Sequence, residues 1–364
     1  MSTAPKEFAS RETLRIIDAN LNRAGEGLRV LEDMARLGLG DAAISEQLKN
    51  LRHRIVAVNQ ELGKQLVEAR DARGDVGINI KTPEQAEQKS LAQLMAANAR
   101  RAEESVRTIE EIAKTAAGTG SGLKPEDLEQ ARFEIYSIEK RLLSRLLRKD
   151  RVERISGLCA ILDTGALKGR GPVELAGELI SGGARIIQLR DKLLQRKELL
   201  EIAGELRKIC SSNGVLFIVN DYLDIAMASD ADGLHLGQND LPAGTARRLL
   251  PIDKIIGVSV KTPEQAIAAC KAGGDYIGVG AIYPTSSKKE TTVITCDGLA
   301  RIKKSVDMPV VAIGGINRDN AARTISCGAD AVAVISAVMD SEFPRESTRQ
   351  IVDAIEVASA QINR

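Results

Sequence analysis

IIGVSVKTPEQAIAACKAGGDYIGVGAIY, residues 255–283, contains a complete strand–helix–strand unit. Its two ends are apolar runs rich in β-branched residues, which is typical of buried β-strands. Between them, Thr262 is placed to cap a helix, Pro263 suits the first helical position, and Gly273 suits the helix end. The segment therefore predicts one βα unit followed by the next strand.

The same pattern repeats from Leu158 onward, which predicts eight strands alternating with amphipathic helices. An α/β fold of the (β/α)8 TIM-barrel type is expected for residues 155–364. A doubly wound open sheet is the rival, but no G-x-G-x-x-G follows the first strand. The predicted strands are LCAILD (158–163), ARIIQLRD (184–191), LFIVND (216–221), DGLHLG (232–237), IIGVSV (255–260), YIGVGAIY (276–283), PVVAIGG (309–315) and AVAVIS (331–336).

Residues 1–150 have a different pattern, rich in Arg, Glu, Ala and Leu at helical spacing, which predicts an all-helical domain before the barrel. This domain contains an internal repeat, in which residues 19–36 align with residues 97–114. Either the repeated polar residues line a shared site, or they form ion pairs within a duplicated bundle. The repeated residues, all polar except the alanines, are Asn20, Arg23, Ala24, Glu26, Arg29 and Glu32, which recur as Asn98, Arg101, Ala102, Glu104, Arg107 and Glu110.

Composition excludes several classes of protein. Aromatic residues make up 2% of the chain, Trp is absent and the net charge is +1, which argues against nucleic-acid binding. The five cysteines are scattered without metal-ligand spacing, so free thiols in a reducing compartment are expected. The first residues contain no apolar h-region and no run of 18 apolar residues occurs, so we expect a cytoplasmic protein without a membrane partner.

Charged residues follow several of the predicted strands. Arg190, Lys192 and Lys288 are cationic, whereas Asp221 and Asp240 are carboxylates. Because the ends of barrel strands converge on one face, these side chains are expected to meet there. Two carboxylates can hold Mg²⁺ and the cations can hold phosphate oxygens, so a Mg²⁺–diphosphate site is predicted.

A second anionic subsite is indicated after strands seven and eight. Gly314 and Gly315 allow close approach of the backbone, and Ile335–Ser336 follows the last strand. Backbone N–H groups at these two ends are a common site for a monophosphate in barrels, although a Gly-Gly pair can also be a simple turn.

Seven segments in order closely resemble the thiamine-phosphate synthase family across residues 155–360. The resemblance implies that a pyrimidine diphosphate, 4-amino-5-hydroxymethyl-2-methylpyrimidine diphosphate, condenses with hydroxyethylthiazole phosphate to give thiamine phosphate and diphosphate. It implies Mg²⁺ as cofactor and a dissociative mechanism. The segments are QLRDK (188–192), VNDYLDIA (219–226), DGLHLGQND (232–240), GVSVKTPEQA (257–266), YIGVGAIYPTSSKKET (276–291), VAIGGI (311–316) and AVISA (333–337).

The resemblance also implies roles for individual residues. Asp221 and Asp240 match the metal ligands, and Arg190, Lys192 and Lys288 match the cations that act on the diphosphate. The pyrimidine-diphosphate contacts are Gln188, Arg190, Lys192, Asn220, Ser259 and Lys288, and the thiazole-phosphate contacts are Thr285, Ser287, Gly315, Ile335 and Ser336.

Two alternatives to this function are a thiazole tautomerase-like barrel and a non-catalytic regulator that binds thiamine phosphates. The helical half resembles an extension found in a subset of these synthases, which has been linked with hydroxymethylpyrimidine phosphate kinase activity. It contains no Walker A loop. A module that assembles homo-oligomers is the other interpretation of this half.

Overall fold

The computed structural model describes residues 10–58, 60–71, 90–115, 121–285 and 292–362. The chain folds as two compact units, Met1–Leu147 and Arg148–Arg364. No helix within the described ranges is long and apolar enough to span a membrane.

The first unit is helical, and its helices begin where the sequence provides caps. The Ser10 hydroxyl accepts a hydrogen bond from the Thr13 N–H, and Ser90 forms a reciprocal capping box with Gln93. The helices are α1 Arg11–Asp33, a π-helical turn Met34–Gly38, α2 Ala42–Val56, α3 Gln60–Ala69, α4 Leu91–Ala113 and α5 Pro125–Glu153, the last of which extends into the second unit.

Helices α1 and α4, which carry the internal repeat, pack closely against each other. A Cβ atom on Gly27 would lie 2.8 Å from the carbonyl oxygen of Asn98, so a larger residue would force the helices apart. The repeated asparagines are buried, and each donates to a carbonyl of its own helix. Asn20 Nδ2 lies 2.8 Å from Ile16 O, and Asn98 Nδ2 lies 2.9 Å from Leu94 O.

The repeated glutamates are buried and each is held by arginines. Glu32 accepts hydrogen bonds from Arg29 at 3.1 Å and from Arg52 at 3.0 Å. The equivalent Glu110 accepts from Arg107, Lys114 and Arg132. Burial raises the pKa of Glu110, but the bonds from Lys114 and Arg132 outweigh burial and lower it below its ordinary value. These contacts support the ion-pair interpretation of the repeat at these positions.

The second unit is a closed barrel of eight parallel strands in sequential order, which confirms the TIM-barrel prediction and rules out the open sheet. The strands are β1 Gly157–Asp163, β2 Ile186–Arg190, β3 Leu216–Asn220, β4 Gly233–Leu236, β5 Ile255–Val260, β6 Tyr276–Gly280, β7 Val310–Ile313 and β8 Ala331–Val334. The intervening helices are α6 Pro172–Ser181, α7 Arg196–Ser212, α8 Leu223–Ala228, α9 Ala243–Leu249, α10 Pro263–Lys271, α11 Thr295–Lys303, α12 Ala321–Ser326, α13 Ser336–Met339 and α14 Pro344–Ile362.

The barrel has two apolar layers because alternate residues of each strand face opposite sides. Outward-facing residues such as Ile187 and Leu189 pack against the helices, whereas Ile186 and Tyr276 fill the interior. A Cβ atom on Gly257 would overlap the Tyr276 ring, so glycine at this position makes room for the tyrosine.

The N-terminal ends of the strands carry buried ion pairs. Asp275 accepts from Arg148 at 2.8 Å and also contacts Arg247. Asp232 accepts from Arg151 at 3.2 Å and from Arg207 at 3.4 Å. The carboxylates and guanidinium groups thus neutralise each other within the protein, which fits the stabilising role of this end of a barrel.

One prediction about the cysteines is wrong. Cys296 and Cys327 form a disulfide, although their spacing of 31 residues gave no signal of it. Cys159 and Cys210 are buried free thiols, and burial raises the pKa of each to about 12. Cys270 is a free thiol at the surface.

Candidate active site

A cavity of about 330 Å³ opens where the strands of the barrel end. It reaches from apolar interior residues, among them Cys159 and Val311, to polar residues at the strand ends. The structure thus brings together eight of the predicted site residues, which line it: Gln188, Arg190, Asn220, Ser259, Thr285, Gly315, Ile335 and Ser336.

Strand β2 places Gln188 and Arg190 on the cavity wall. Both alternate with Leu189, which faces the helices, so the period of two orients the polar pair inward. The Arg190 guanidinium contacts the carboxylate of Asp163, which lies opposite it in the register of β1 and β2. Lys192 lies beyond the strand and is exposed.

Asp221 and Asp240 form a carboxylate pair after strands β3 and β4. Burial, and then the neighbouring Asp240, raise the pKa of Asp221 from 3.8 to about 6, while Arg190 and Lys192 act in the opposite direction. Asp221 has φ +66°, a left-handed conformation, and its N–H donates to His235 O at 2.8 Å. Asp240 is exposed and accepts from the Gly237 N–H at 2.7 Å.

Two negative charges this close repel each other, which is the situation that a shared cation relieves. Hard carboxylate oxygens are the donors that Mg²⁺ prefers, and Mg²⁺ needs few protein ligands because it keeps waters and substrate oxygens. Within the part of the chain that the structure describes, no group of three or more His, Cys, Asp or Glu residues is arranged to hold a metal. The pair therefore fits a weakly held ion that a substrate phosphate completes.

Ser259 belongs to a hydrogen-bonded chain inside the barrel. Its hydroxyl lies 2.9 Å from His235 Nε2, and His235 Nδ1 lies 3.1 Å from the Tyr276 hydroxyl. Gln238 donates to the Ser259 carbonyl at 2.6 Å. His235 thus lines the cavity and fixes the side chain of Ser259, a role that its position between two leucines in the sequence did not reveal.

The loops after β6 and β7 meet at the far side of the cavity. Gly315 has φ +67°, and a Cβ atom there would lie 2.5 Å from Pro284 O. Only glycine fits this approach without strain, and the Gly315 carbonyl accepts from Asn320 Nδ2 at 2.9 Å. Thr285 lies beside it on the cavity wall, with Ile335 and Ser336 from the end of β8.

Two predicted residues, Ser287 and Lys288, lie outside the described residues. Conversely, the structure adds Asp163 and Tyr276 to the site, neither of which was singled out in the sequence. Asp163 could have been found by extending the strand-end argument to strand one, because it ends β1 as Arg190 ends β2. Tyr276 begins a strand and gave no such signal.

Comparison with known proteins agrees with this geometry. Residues 158–338 match the model of the thiamine monophosphate synthase family, and residues 15–141 match the ThiD2 family. Thiamine-phosphate synthase of Nostoc punctiforme is 36% identical over 358 residues, covering 96% of each chain. That of Prochlorococcus marinus subsp. pastoris is 38% identical over 344 residues, covering 93% of this chain and 94% of the relative.

A solved structure agrees as well. Thiamine phosphate pyrophosphorylase from Pyrococcus furiosus is 40% identical and superposes with a TM-score of 0.52, covering 58% of this chain and 98% of that one. The curated relatives align with nearly the whole chain, and so with both halves. The Pyrococcus furiosus structure aligns with 58% of the chain, a length similar to that of the barrel. The chain therefore belongs to the thiamine-phosphate synthase family.

Proposed function

We propose that the barrel joins the pyrimidine diphosphate to hydroxyethylthiazole phosphate, which gives thiamine phosphate and releases diphosphate. The observation that carries the proposal is the cavity, which places Gln188, Arg190 and Asn220 on one side and Thr285 and Gly315 on another. On the first side, a guanidinium and two side-chain amides can bind a diphosphate. On the second side, the Thr285 hydroxyl and the backbone at Gly315, which a ligand can approach closely, can bind a monophosphate. Family membership supports the same reaction.

The chemistry that this site must perform is departure of an anion and transfer of a methylene carbon. The bond between that carbon and the diphosphate oxygen breaks, and the thiazole nitrogen forms the new bond to carbon. Arg190 and Lys192 stabilise the charge that develops on the leaving diphosphate. No general base is required, so the site acts by positioning two substrates and by electrostatic stabilisation.

Asp221 and Asp240 are proposed to hold Mg²⁺, which when bound supplies additional positive charge beside the diphosphate. Asn220 and Ser259 are proposed to hold the pyrimidine diphosphate, with Ser259 oriented by His235. For the thiazole phosphate we propose Thr285, Ser287, Gly315, Ile335 and Ser336, with Lys288 beside the diphosphate.

Two variants test this assignment. Asp240→Ala and Lys288→Ala should each lose most of the rate of thiamine phosphate formation and keep the fold, as followed by circular dichroism. Asp224→Ala is the matched control, since Asp224 is exposed and its ion pair with Arg196 is long, at 3.8 Å. Rates near wild type in both site variants would contradict the assignment.

The same assay separates the alternatives. A tautomerase would convert a thiazole carboxylate phosphate without any pyrimidine substrate, and its rate would not depend on Asp240. A binding regulator would retain thiamine phosphate and form none. The carboxylate pair favours the synthase because neither alternative needs a site for a metal diphosphate.

For the helical half, we propose ATP-dependent phosphorylation of the pyrimidine monophosphate, which would supply the diphosphate that the barrel consumes. The match of residues 15–141 to the ThiD2 family supports this proposal. A cleft of about 540 Å³ beside α1 is lined by Arg15, Arg23 and Arg70 together with three carboxylates. Arg70 is paired with Asp18 at 2.8 Å, so we propose Arg23 as the cation that meets a phosphate. An oligomerisation module is the alternative role of this half. For the whole protein, formation of homo-oligomers and a cytoplasmic location remain predictions.

The full chain allows a direct test. With ATP, pyrimidine monophosphate and thiazole phosphate, a bifunctional enzyme forms thiamine phosphate, whereas a lone synthase forms it only from the pyrimidine diphosphate. Arg23→Ala should slow the first reaction and leave the second unchanged. If thiamine phosphate forms only when the pyrimidine diphosphate is supplied, and not from the monophosphate with ATP, the kinase proposal is contradicted and the synthase proposal stays intact.

A further inference from the structure

Asp163 and Arg190 form an ion pair at the rim of the barrel cavity. They are opposite residues at the ends of neighbouring strands β1 and β2, and the guanidinium Nη1 contacts the Asp163 carboxylate. The side chains are 15% and 17% exposed, so water screens the pair only in part. The pair therefore fixes the direction of an arginine that lines the cavity.

Asp163 is itself fixed from its other side. Its Oδ1 atom accepts the Gly165 N–H at 3.0 Å, which caps the 3₁₀ turn Thr164–Ala166. The carboxylate is thus held by backbone through one oxygen and holds Arg190 through the other. An anchored acceptor of this kind restricts the rotamers of a long side chain more than a mobile one does.

The remaining donors of Arg190 are left for a ligand. Arginine carries five N–H donors in a planar fork, and Asp163 occupies one edge of it. Among the described residues, no other hydrogen-bond acceptor or ion-pair partner of Arg190 is found. The free edge of the guanidinium is what a diphosphate oxygen pair would bind.

The pair with Asp163 joins the arginine to strand β1, whereas Asp221 follows β3, on the other side of β2. Arg190 influences the pKa of Asp221, so it lies within electrostatic reach of it. Within the part of the chain that is described, however, neither Asp221 nor Asp240 forms an ion pair with Arg190 within 4.0 Å. Without Asp163, attraction would draw the guanidinium toward Asp221 and Asp240. It would then obstruct the proposed metal site and no longer be available to the diphosphate.

We propose that Asp163 is a positioning residue that holds the Arg190 guanidinium ready for the diphosphate of the pyrimidine substrate. This inference rests on the proposed function of the barrel. Asp163 does not touch the reacting atoms; it acts through Arg190. Its loss should therefore affect the diphosphate substrate and spare the thiazole phosphate, whose subsite lies at β6, β7 and β8.

The test is steady-state kinetics of the full chain carrying Asp163→Asn. This change keeps an oxygen for the Gly165 N–H and removes the charge that holds Arg190. We expect kcat/KM for the pyrimidine diphosphate to fall by about 10- to 100-fold, as for loss of a charged hydrogen bond, while KM for the thiazole phosphate stays within about 2-fold of wild type. Asp340→Asn is the control, since Asp340 pairs with Lys168 at 2.7 Å and half of its side chain is exposed.

A double-mutant cycle with Arg190→Ala separates positioning from a structural role. If Asp163 acts through Arg190, Asp163→Asn costs less than about 2-fold in the Arg190→Ala background. Asp163→Glu keeps a carboxylate and should therefore be faster than Asp163→Asn, although slower than the wild type. If Asp163→Asn does not fold, Asp163→Glu takes its place in the double-mutant cycle. Equal losses in both backgrounds, or no loss in either, would overturn the proposal. Inactivity of the wild type would instead overturn the proposed function.

Discussion

Replacing Asp221 by asparagine is expected to make the barrel more stable and the enzyme inactive. The folded protein raises the pKa of this carboxyl from 3.8 to about 6, first by burial and then through Asp240. The ionised form is therefore less favourable in the folded than in the unfolded chain. Its cost to stability builds up between about pH 4 and pH 6 and is complete above pH 6. The asparagine side chain would carry no charge to repel Asp240.

The magnitude follows from the shift. About two pKa units correspond to about 3 kcal/mol. Partial exposure and sharing of the proton with Asp240 reduce this to about 1–2 kcal/mol of extra stability for the variant at pH 8. The gain should shrink as the pH falls from 6 toward 4, because the wild-type carboxyl is then protonated in the folded state. The positive φ of Asp221 is no obstacle, since asparagine adopts it readily.

Urea unfolding at pH 8 and pH 5, followed by tyrosine fluorescence, measures this difference. Three of the four tyrosines, Tyr222, Tyr276 and Tyr283, lie in the barrel, so the signal reports mainly on that unit. Mg²⁺ should raise the stability of the wild type and have little effect on Asp221→Asn. Asp224→Asn is the exposed control. A variant no more stable than wild type at pH 8, or a gain in stability that is equal at both pH values, would show that the Asp221 charge does not destabilise the barrel.

Three further changes test other parts of the structure. Gly257→Ala should destabilise the barrel by about 2–3 kcal/mol in urea unfolding because its Cβ overlaps the Tyr276 ring; an unchanged midpoint would contradict this packing. Gly315→Ala should raise KM for the thiazole phosphate by about tenfold or more, and leave KM for the pyrimidine diphosphate unchanged, because its positive φ and close contact exclude a side chain. Glu110→Ala should lower the stability of the helical unit by about 2 kcal/mol, whereas the exposed Glu104→Ala should not, as thermal unfolding by circular dichroism would show.

Local sequence signals predicted the strands well, and their ends less well. β-branched runs identified all eight strands because buried parallel strands need such residues. Strand β6 was predicted to continue to Tyr283 but ends at Gly280, where its ladder partner Ile313 ends strand β7. Backbone bonds from Ile282 N–H to Ile313 O and from Tyr283 N–H to Gly314 O continue beyond this point, outside the regular ladder. Strand ends thus depend on the neighbouring strand, which a single segment does not contain.

The polar strand ends that line the cavity were also predictable, because barrel topology brings every strand end to one face. Contacts across strands were not. The bond of His235 to Tyr276 joins residues 41 positions apart, and the disulfide of Cys296 and Cys327 joins residues 31 apart. Pairing at such distances follows from strand register and helix placement, which local composition does not encode.

The central claim is that one cavity unites a diphosphate substrate and a monophosphate substrate. Its most direct test is the product balance when the wild-type chain is mixed with pyrimidine diphosphate, thiazole phosphate and Mg²⁺. We expect thiamine phosphate and diphosphate to form in equal amounts, and neither to form when the thiazole phosphate is omitted or Mg²⁺ is chelated. Absence of thiamine phosphate, or its formation without diphosphate, would contradict the proposed function of the barrel.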